Sequence, residues 1–194
     1  MTLFEIVSVI ISIIAVILTI KRHLWCWFFN FFACVLYAIL FFEFKLYGET
    51  ILQVFFMGMA IYGYMQWKKG LSEQHELIIS DLKLNSILIQ ILITAGVGLS
   101  FGALLAYFTD AAVPWLDAQL AAFSLLATYW SGKKYLSTWR LWVIVDIIYV
   151  AMFIYKDLYP TAGLYAMFVI LAGMGWLQWQ KIYRQQMQGS LIPS

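Results

Sequence analysis

Runs of about twenty mostly apolar residues alternate with short polar breaks along this chain, and that is the length a helix needs to cross ~30 Å of hydrocarbon. The runs predict helices near residues 3–20, 24–43, 46–67, 85–108, 115–131, 135–155 and 158–180. One break is longer than the others. From Lys68 to Lys83 (KKGLSEQHELIISDLK) the charges predict a solvated loop or a short surface helix. The tail from Gln185 to Ser194 reads as flexible chain.

The same pattern repeats. An offset of about 112 residues lays Trp27 on Trp139, Tyr37 on Tyr149, Phe41 on Phe153, Gly63 on Gly175, and Gln66 and Trp67 on Gln178 and Trp179. Roughly 16 of about 58 aligned positions are identical, many of them Trp, Tyr or Gln, so the chain reads as a duplicated module. Each copy holds three spans, and an odd number joined directly would leave the copies inverted. The fourth span restores the direction. The expected fold is therefore an all-α integral membrane protein of seven transmembrane helices, 3+1+3, with parallel repeats about a pseudo-two-fold axis along the membrane normal. Its parts are a first repeat (1–67), a linker (68–84), a linking helix (85–108), a second repeat (115–182) and a tail (183–194). The small residues Ala95, Gly96, Gly98, Gly102 and Ala103 suit that linking helix to close packing.

Composition agrees with this picture. Apolar residues make up 64% of the chain and charged ones 11%, against about 45–50% and ~25% in soluble domains. The first run has no basic residues before it and is followed by Lys21-Arg22-His23, which predicts a retained helix rather than a cleaved signal. With the N-terminus outside, about ten of the twelve Lys and Arg fall on the cytoplasmic side, leaving Lys45 and Lys156 outside. This is the orientation of a multi-pass inner-membrane protein with a cytoplasmic C-terminus. The net charge of +2 and scattered basic residues give no nucleic-acid footprint. Cys26 and Cys34 read as small core or lipid-facing thiols, and no metal-ligand spacing or P-loop occurs.

Candidate chemistry gathers on one face of the sixth span. Trp139, Trp142, Asp146 and Tyr149 recur at three- and four-residue steps, which sets one carboxylate and three rings toward the same space. A carboxylate inside the membrane costs about 2.5–3.5 kcal/mol and needs a partner or a watery cavity. Packing against a neighbouring helix is one reading. A ligand site is the other, favoured by the shared aromatic face, because Trp is the best cation–π surface and the acid offers a counter-charge. The second span carries Trp27, Asn30, Cys34 and Tyr37 at the matching places, with Cys34 where Asp146 stands. On the third span Glu49, Gln53 and Phe56 share a face, matched by Thr161, Tyr165 and Phe168 on the seventh. Gln53 could read hydroxyls or bond a neighbouring helix, and Glu49 lies near the surface. Trp67, Trp176 and Trp179 stand at span ends and read as interfacial anchors.

A photoreceptor would need a lysine within the last span, where there is none. An enzyme would need a nucleophile with a base, paired acids or a metal cluster, and His23 and His75 stand in loops far from Asp146. No cofactor is expected.

The segments LYGETILQVFFMGMAIYGYMQW and TWRLWVIVDIIYVAMFIYKDLYPTAGLYAMF resemble the PnuC family of bacterial vitamin transporters, with its W-x-x-W motif in the sixth span and LY…LQ-F…YG-x-x-x-W pattern in the third. The resemblance covers about residues 10 to 182. It implies facilitated diffusion of a vitamin, trapping by a separate soluble kinase, and a trimeric assembly. Val145, Asp146 and Ala60 depart from the pattern of the riboside carriers and look more like the thiamine branch, PnuT. The expectation is uniport of a cationic heteroaromatic vitamin, thiamine first and nicotinamide riboside as the alternative. Trp139, Trp142 and Tyr149 would line the ring, Asp146 would offset its charge, and Asn30, Gln53, Tyr165 and Glu49 would meet the polar parts.

Overall fold

The computed structural model describes residues 3–43, 47–74, 77–109, 113–155 and 157–189. Its regular elements are seven α-helices: α1 (Leu3–Ile20), α2 (Trp25–Glu43), α3 (Tyr47–Gln74), α4 (Leu84–Phe108), α5 (Pro114–Gly132), α6 (Ser137–Tyr155) and α7 (Tyr159–Gly189). Lys45, His75 and Lys156 lie outside the described residues. Two helices outlast their apolar runs. The α3 helix continues through Lys68 and Lys69 to Gln74, and α7 through Lys181 and Arg184 to Gly189. Beyond the hydrocarbon a helix needs only good helix formers, which Lys, Arg, Gln and Met supply. The stretch from Gln185, expected as flexible chain, is helical as far as Gly189.

Six helices close a ring, each packing on the next: α1 on α2, α2 on α3, α3 on α5, α5 on α6, α6 on α7, and α7 back on α1. The two contacts that join the repeats, α3 with α5 and α7 with α1, are the same kind of contact, the third helix of one copy against the first of the other. That is what a pseudo-two-fold relation between parallel repeats requires. The α4 helix stands outside the ring and packs on α5, where Gly98 lies against Gln119 and Gly102 against Trp115. Taken alone, α2, α4, α6 and α7 are long and apolar enough to cross a bilayer, while α3 and α5 carry more polar residues. Those polar groups find partners inside the bundle: Gln119 donates to the Ala95 carbonyl at 3.0 Å, and the Trp130 indole to Gln90 at 2.8 Å. In hydrocarbon a polar group needs such a partner.

The repeat persists in atomic detail at the α1–α2 and α5–α6 turns. The amides of Lys21, Arg22 and His23 donate to Ile17, Thr19 and Leu18, and those of Lys133, Lys134 and Tyr135 to Tyr129, Ser131 and Trp130. Arg22 and Lys134 take the left-handed backbone that ends each helix, at φ 57° and 62°. Both turns lie at the end of the bundle that carries most of the lysines and arginines, called the basic end below.

Four tryptophans fill the core there. Trp67 and Trp179, expected at the membrane interface, are completely buried, and Trp27 and Trp139 nearly so. Trp27 meets Trp67 edge-on with ring centroids at 5.4 Å, Trp139 meets Trp179 edge-on at 5.4 Å, and Trp67 and Trp179 face each other at 6.2 Å. Gly63 and Gly175 make the room, for a Cβ on either would collide with the ring of Trp27 or Trp139. Two hydrogen bonds then cross between the repeats. The Trp67 indole donates to the Ser131 carbonyl at 3.0 Å and the Trp179 indole to the Ile20 carbonyl at 3.1 Å.

The linker runs across this core as an extended strap. Leu77 and Ile79 are buried in the tryptophan cluster, and Ser80 pairs with the α5–α6 turn, its amide donating to Lys134 and its carbonyl accepting from Leu136. Arg22 donates to the Leu77 carbonyl, Gln186 accepts from the Ile79 amide, and Asp81 takes Ser137 and Arg140 at 2.8 and 3.1 Å. The basic end is closed.

Candidate functional site

The α6 helix passes from the closed basic end to the middle of the bundle, and its polar face changes character on the way. Trp139, less than one turn into the helix, belongs to the tryptophan core against Gly175. Trp142, half-buried, packs on that core and on the second apolar cluster formed by α5 and α6. Asp146 follows one turn later, only 4% exposed, and among the described residues it has no hydrogen-bond or ion-pair partner. Tyr149 and Tyr165 come together at 4.5 Å between centroids, with Phe153 5.9 Å from Tyr149 and 5.1 Å from Tyr165. Phe168 meets Tyr165 edge-on at 5.8 Å. Of the residues singled out in the sequence, Trp142, Asp146 and Tyr149 share a face of α6 by their spacing and Tyr165 of α7 meets Tyr149, which makes an aromatic wall with one acid in it.

The first repeat keeps only the tyrosine–phenylalanine pair of the wall: Asn30 stands for Trp142, Gln53 for Tyr165 and Cys34 for the acid. Tyr37 stacks on Phe41 with centroids 5.9 Å apart, as Tyr149 stacks on Phe153. Cys34 is half-buried at the place of Asp146. Asn30, half-buried, donates to the Cys26 carbonyl of its own helix at 3.0 Å. Gln53 is half-buried on α3. Glu49 belongs to α3, and its side chain lies outside the described residues. A surface groove of about 530 Å³ opens instead on the outer face of α2 and α3 among Trp25, Phe28, Phe32, Ile61 and Tyr64. It is a lipid-facing feature, away from Asp146.

Chemically, the residue types of the wall suit a flat cation. A ring laid against Trp142 and the tyrosines gains cation–π attraction, and the carboxylate supplies the opposite charge in a place with little water. No histidine, cysteine or acid cluster with metal-ligand geometry occurs among the described residues. The sequence reading missed two things. It put Trp67 and Trp179 at the interface, although their identity across the repeat was a signal of a shared interior role. It also passed over Ser124 on α5, a mid-span hydroxyl that is 4% exposed with its Oγ unpaired.

Residues 2–181 match the family described as nicotinamide mononucleotide transporter. Among individual relatives, the nicotinamide riboside transporter PnuC of Escherichia coli (strain K12) is 26% identical over 94% of this chain and 87% of its own length. The PnuC of Neisseria mucosa is 22% identical over 92% of this chain and 72% of its own. A riboflavin/roseoflavin transporter, RibM of Streptomyces davaonensis, is 25% identical over 96% and 90%. The crystal structure of the vitamin B3 transporter PnuC superimposes with a TM-score of 0.76 at 22% identity, covering 92% of this chain and 81% of that one. At that identity the likeness speaks for the fold, and the fold is the ring of helices described above.

Proposed function

Because this chain belongs to the nicotinamide mononucleotide transporter family, and is a membrane carrier of the PnuC type rather than an enzyme, we propose that it moves nicotinamide riboside down its gradient across the inner membrane. The sequence favoured thiamine, with the riboside as the alternative. The relatives are named for nicotinamide riboside or riboflavin and give thiamine no support, so the alternative is the better reading. Asp146, buried in an aromatic wall and without a partner among the described residues, supports a cationic ring as cargo but serves a thiazolium as well as a pyridinium, so the observation that carries the riboside over thiamine is the likeness to the riboside carriers. A pyridinium ring has the flat shape and positive charge such a wall accepts. Riboflavin, with an uncharged ring system, has no use for the acid.

In this reading Trp142, Tyr149 and Tyr165 stack around the pyridinium, Asp146 offsets its charge, and Gln53 and Asn30 face the sugar. Trp139 closes the pocket floor, and Glu49 stands at the opposite end of the path. Transport proceeds by rocking of the two repeats, and the basic end opens when the crossed indole bonds and the strap part. The positive-inside count supports an N-terminus outside and a cytoplasmic basic end. A separate soluble kinase phosphorylates and traps the product, and the carrier assembles as a trimer.

Uptake into proteoliposomes, with no gradient except the substrate's own, tests this. Labelled nicotinamide riboside is expected to equilibrate, and labelled riboflavin and thiamine are not. Equilibration of riboflavin or thiamine without the riboside overturns the substrate, and dependence on an imposed proton or sodium gradient overturns uniport.

A further inference from the structure

Hydroxyls inside helices of this protein usually turn back on their own backbone. Ser12 donates to the Ser8 carbonyl at 2.9 Å, Thr19 to Ala15 at 2.8 Å and Thr128 to Ser124 at 2.8 Å. This is the default for a serine or threonine with no other partner in a membrane helix. Ser124 departs from it. Its carbonyl accepts from Thr128, yet its own Oγ is buried and has no partner. Its counterpart at the repeat offset is Ser12, which is satisfied.

The direction of Ser124 follows from the stripe it shares. Leu120, Ser124, Ala127 and Ser131 recur at steps of four, three and four and occupy one face of α5. That face is turned toward α6, for Thr138 of α6 donates to the Ala127 carbonyl at 2.8 Å and pairs with the Ser131 hydroxyl at 2.8 Å. Depth follows from the helix rise. Ser124 lies eight residues before Gly132, about 12 Å from the basic-end turn, and Asp146 nine residues after Ser137, about 13.5 Å. The second repeat therefore holds a free hydroxyl and a free carboxylate at one depth on two packed helices. The first holds a satisfied Ser12 and Cys34 instead.

We infer that Ser124 is a substrate-contacting, specificity-determining residue, whose hydroxyl bonds the polar substituent on the cationic ring that Asp146 holds. Resting as it does on the riboside reading above, it assigns that substituent as the ring carboxamide. A hydroxyl both donates and accepts, so it can serve the carbonyl oxygen or the amide N–H. Buried without a protein partner, the hydroxyl is a cost to the fold. Filled by substrate, the same group contributes to binding.

The test is calorimetric titration of the purified carrier with nicotinamide riboside and with the pyridinium riboside lacking the carboxamide, together with melting temperatures. Ser124→Ala is expected to bind the riboside about five-fold more weakly, the usual size of one neutral hydrogen bond. It should bind the pyridinium riboside as wild type does, and melt at the same temperature or higher. Ser124→Cys, close in volume, should repeat the loss, since a thiol donates weakly. Equal weakening for both ligands with a lower melting temperature would make Ser124 a packing residue and overturn the assignment. Unchanged riboside affinity in both variants would overturn it as well. Wild-type protein that binds neither pyridinium compound overturns the riboside reading itself, and the assignment with it.

Discussion

The two repeats agree at the basic end and disagree in the middle of the membrane. At the α1–α2 and α5–α6 turns they match amide for amide, and the pairs Trp27–Trp67 and Trp139–Trp179 match in distance and angle. Two turns deeper Cys34 stands against Asp146, and Ser12 against Ser124. A gate opened by rocking repeats, as proposed above, would need symmetry, because the repeats would part along equivalent contacts. Recognition needs the opposite, since no vitamin in view has a two-fold axis. Under the proposed function the difference between the copies maps a division of labour, with structure held in common and recognition assigned to the second copy.

The comparison is broken most strongly at its most asymmetric point. Replacing Asp146 with Asn removes the counter-charge and keeps the shape, and truncating one side of a buried charge pair costs about 2–5 kcal/mol. The expected result is a loss of riboside affinity of about thirty-fold or more, with expression unchanged, read by calorimetry in detergent. Unaltered affinity would place the site elsewhere.

The symmetric end makes a different kind of demand, namely equality. A methyl group at Gly63 or at Gly175 meets an indole face, and overpacking of this sort costs about 1–3 kcal/mol. Gly63→Ala and Gly175→Ala are expected to lower the melting temperature by similar amounts. A large effect from one and none from the other would show that the cores of the copies have diverged. Smaller again is the loss of a crossed hydrogen bond, about 1 kcal/mol net. Trp67→Phe and Trp179→Phe should each destabilise the closed basic end by that order, and reactivity of a cysteine placed at Ile79 toward a water-soluble maleimide should rise in both. Protection of that cysteine in the double variant would show that the strap alone keeps the end shut.

Much of the fold could be read from the chain because a span must be about twenty apolar residues long and a duplication leaves its offset behind. The ring order followed from neither. It depends on which face of each helix turns inward, and in a membrane both faces are apolar, so periodicity says little about direction. That is why Trp67 and Trp179 looked like interfacial anchors. The aromatic wall was legible because Asp146 fixed which side of α6 is interior. Ser124 was not, since a serine in a span ordinarily bonds its own helix and only the positions of the atoms show that this one does not. The strap was not legible, because the charges of residues 68–83 predicted a solvated loop or surface helix and outweighed the short apolar run Leu77-Ile78-Ile79, of which Leu77 and Ile79 are buried.

The crossed indole bonds also bear on how such a protein can change over time. Each copy carries the donor, Trp67 or Trp179, and the other carries the acceptor, Ser131 or Ile20. Neither half can therefore close its own core, and a substitution in one is felt first by its twin. Duplicated modules bound in this way cannot drift apart at the interlocked end, which leaves the unlinked middle as the region free to take up a new cargo.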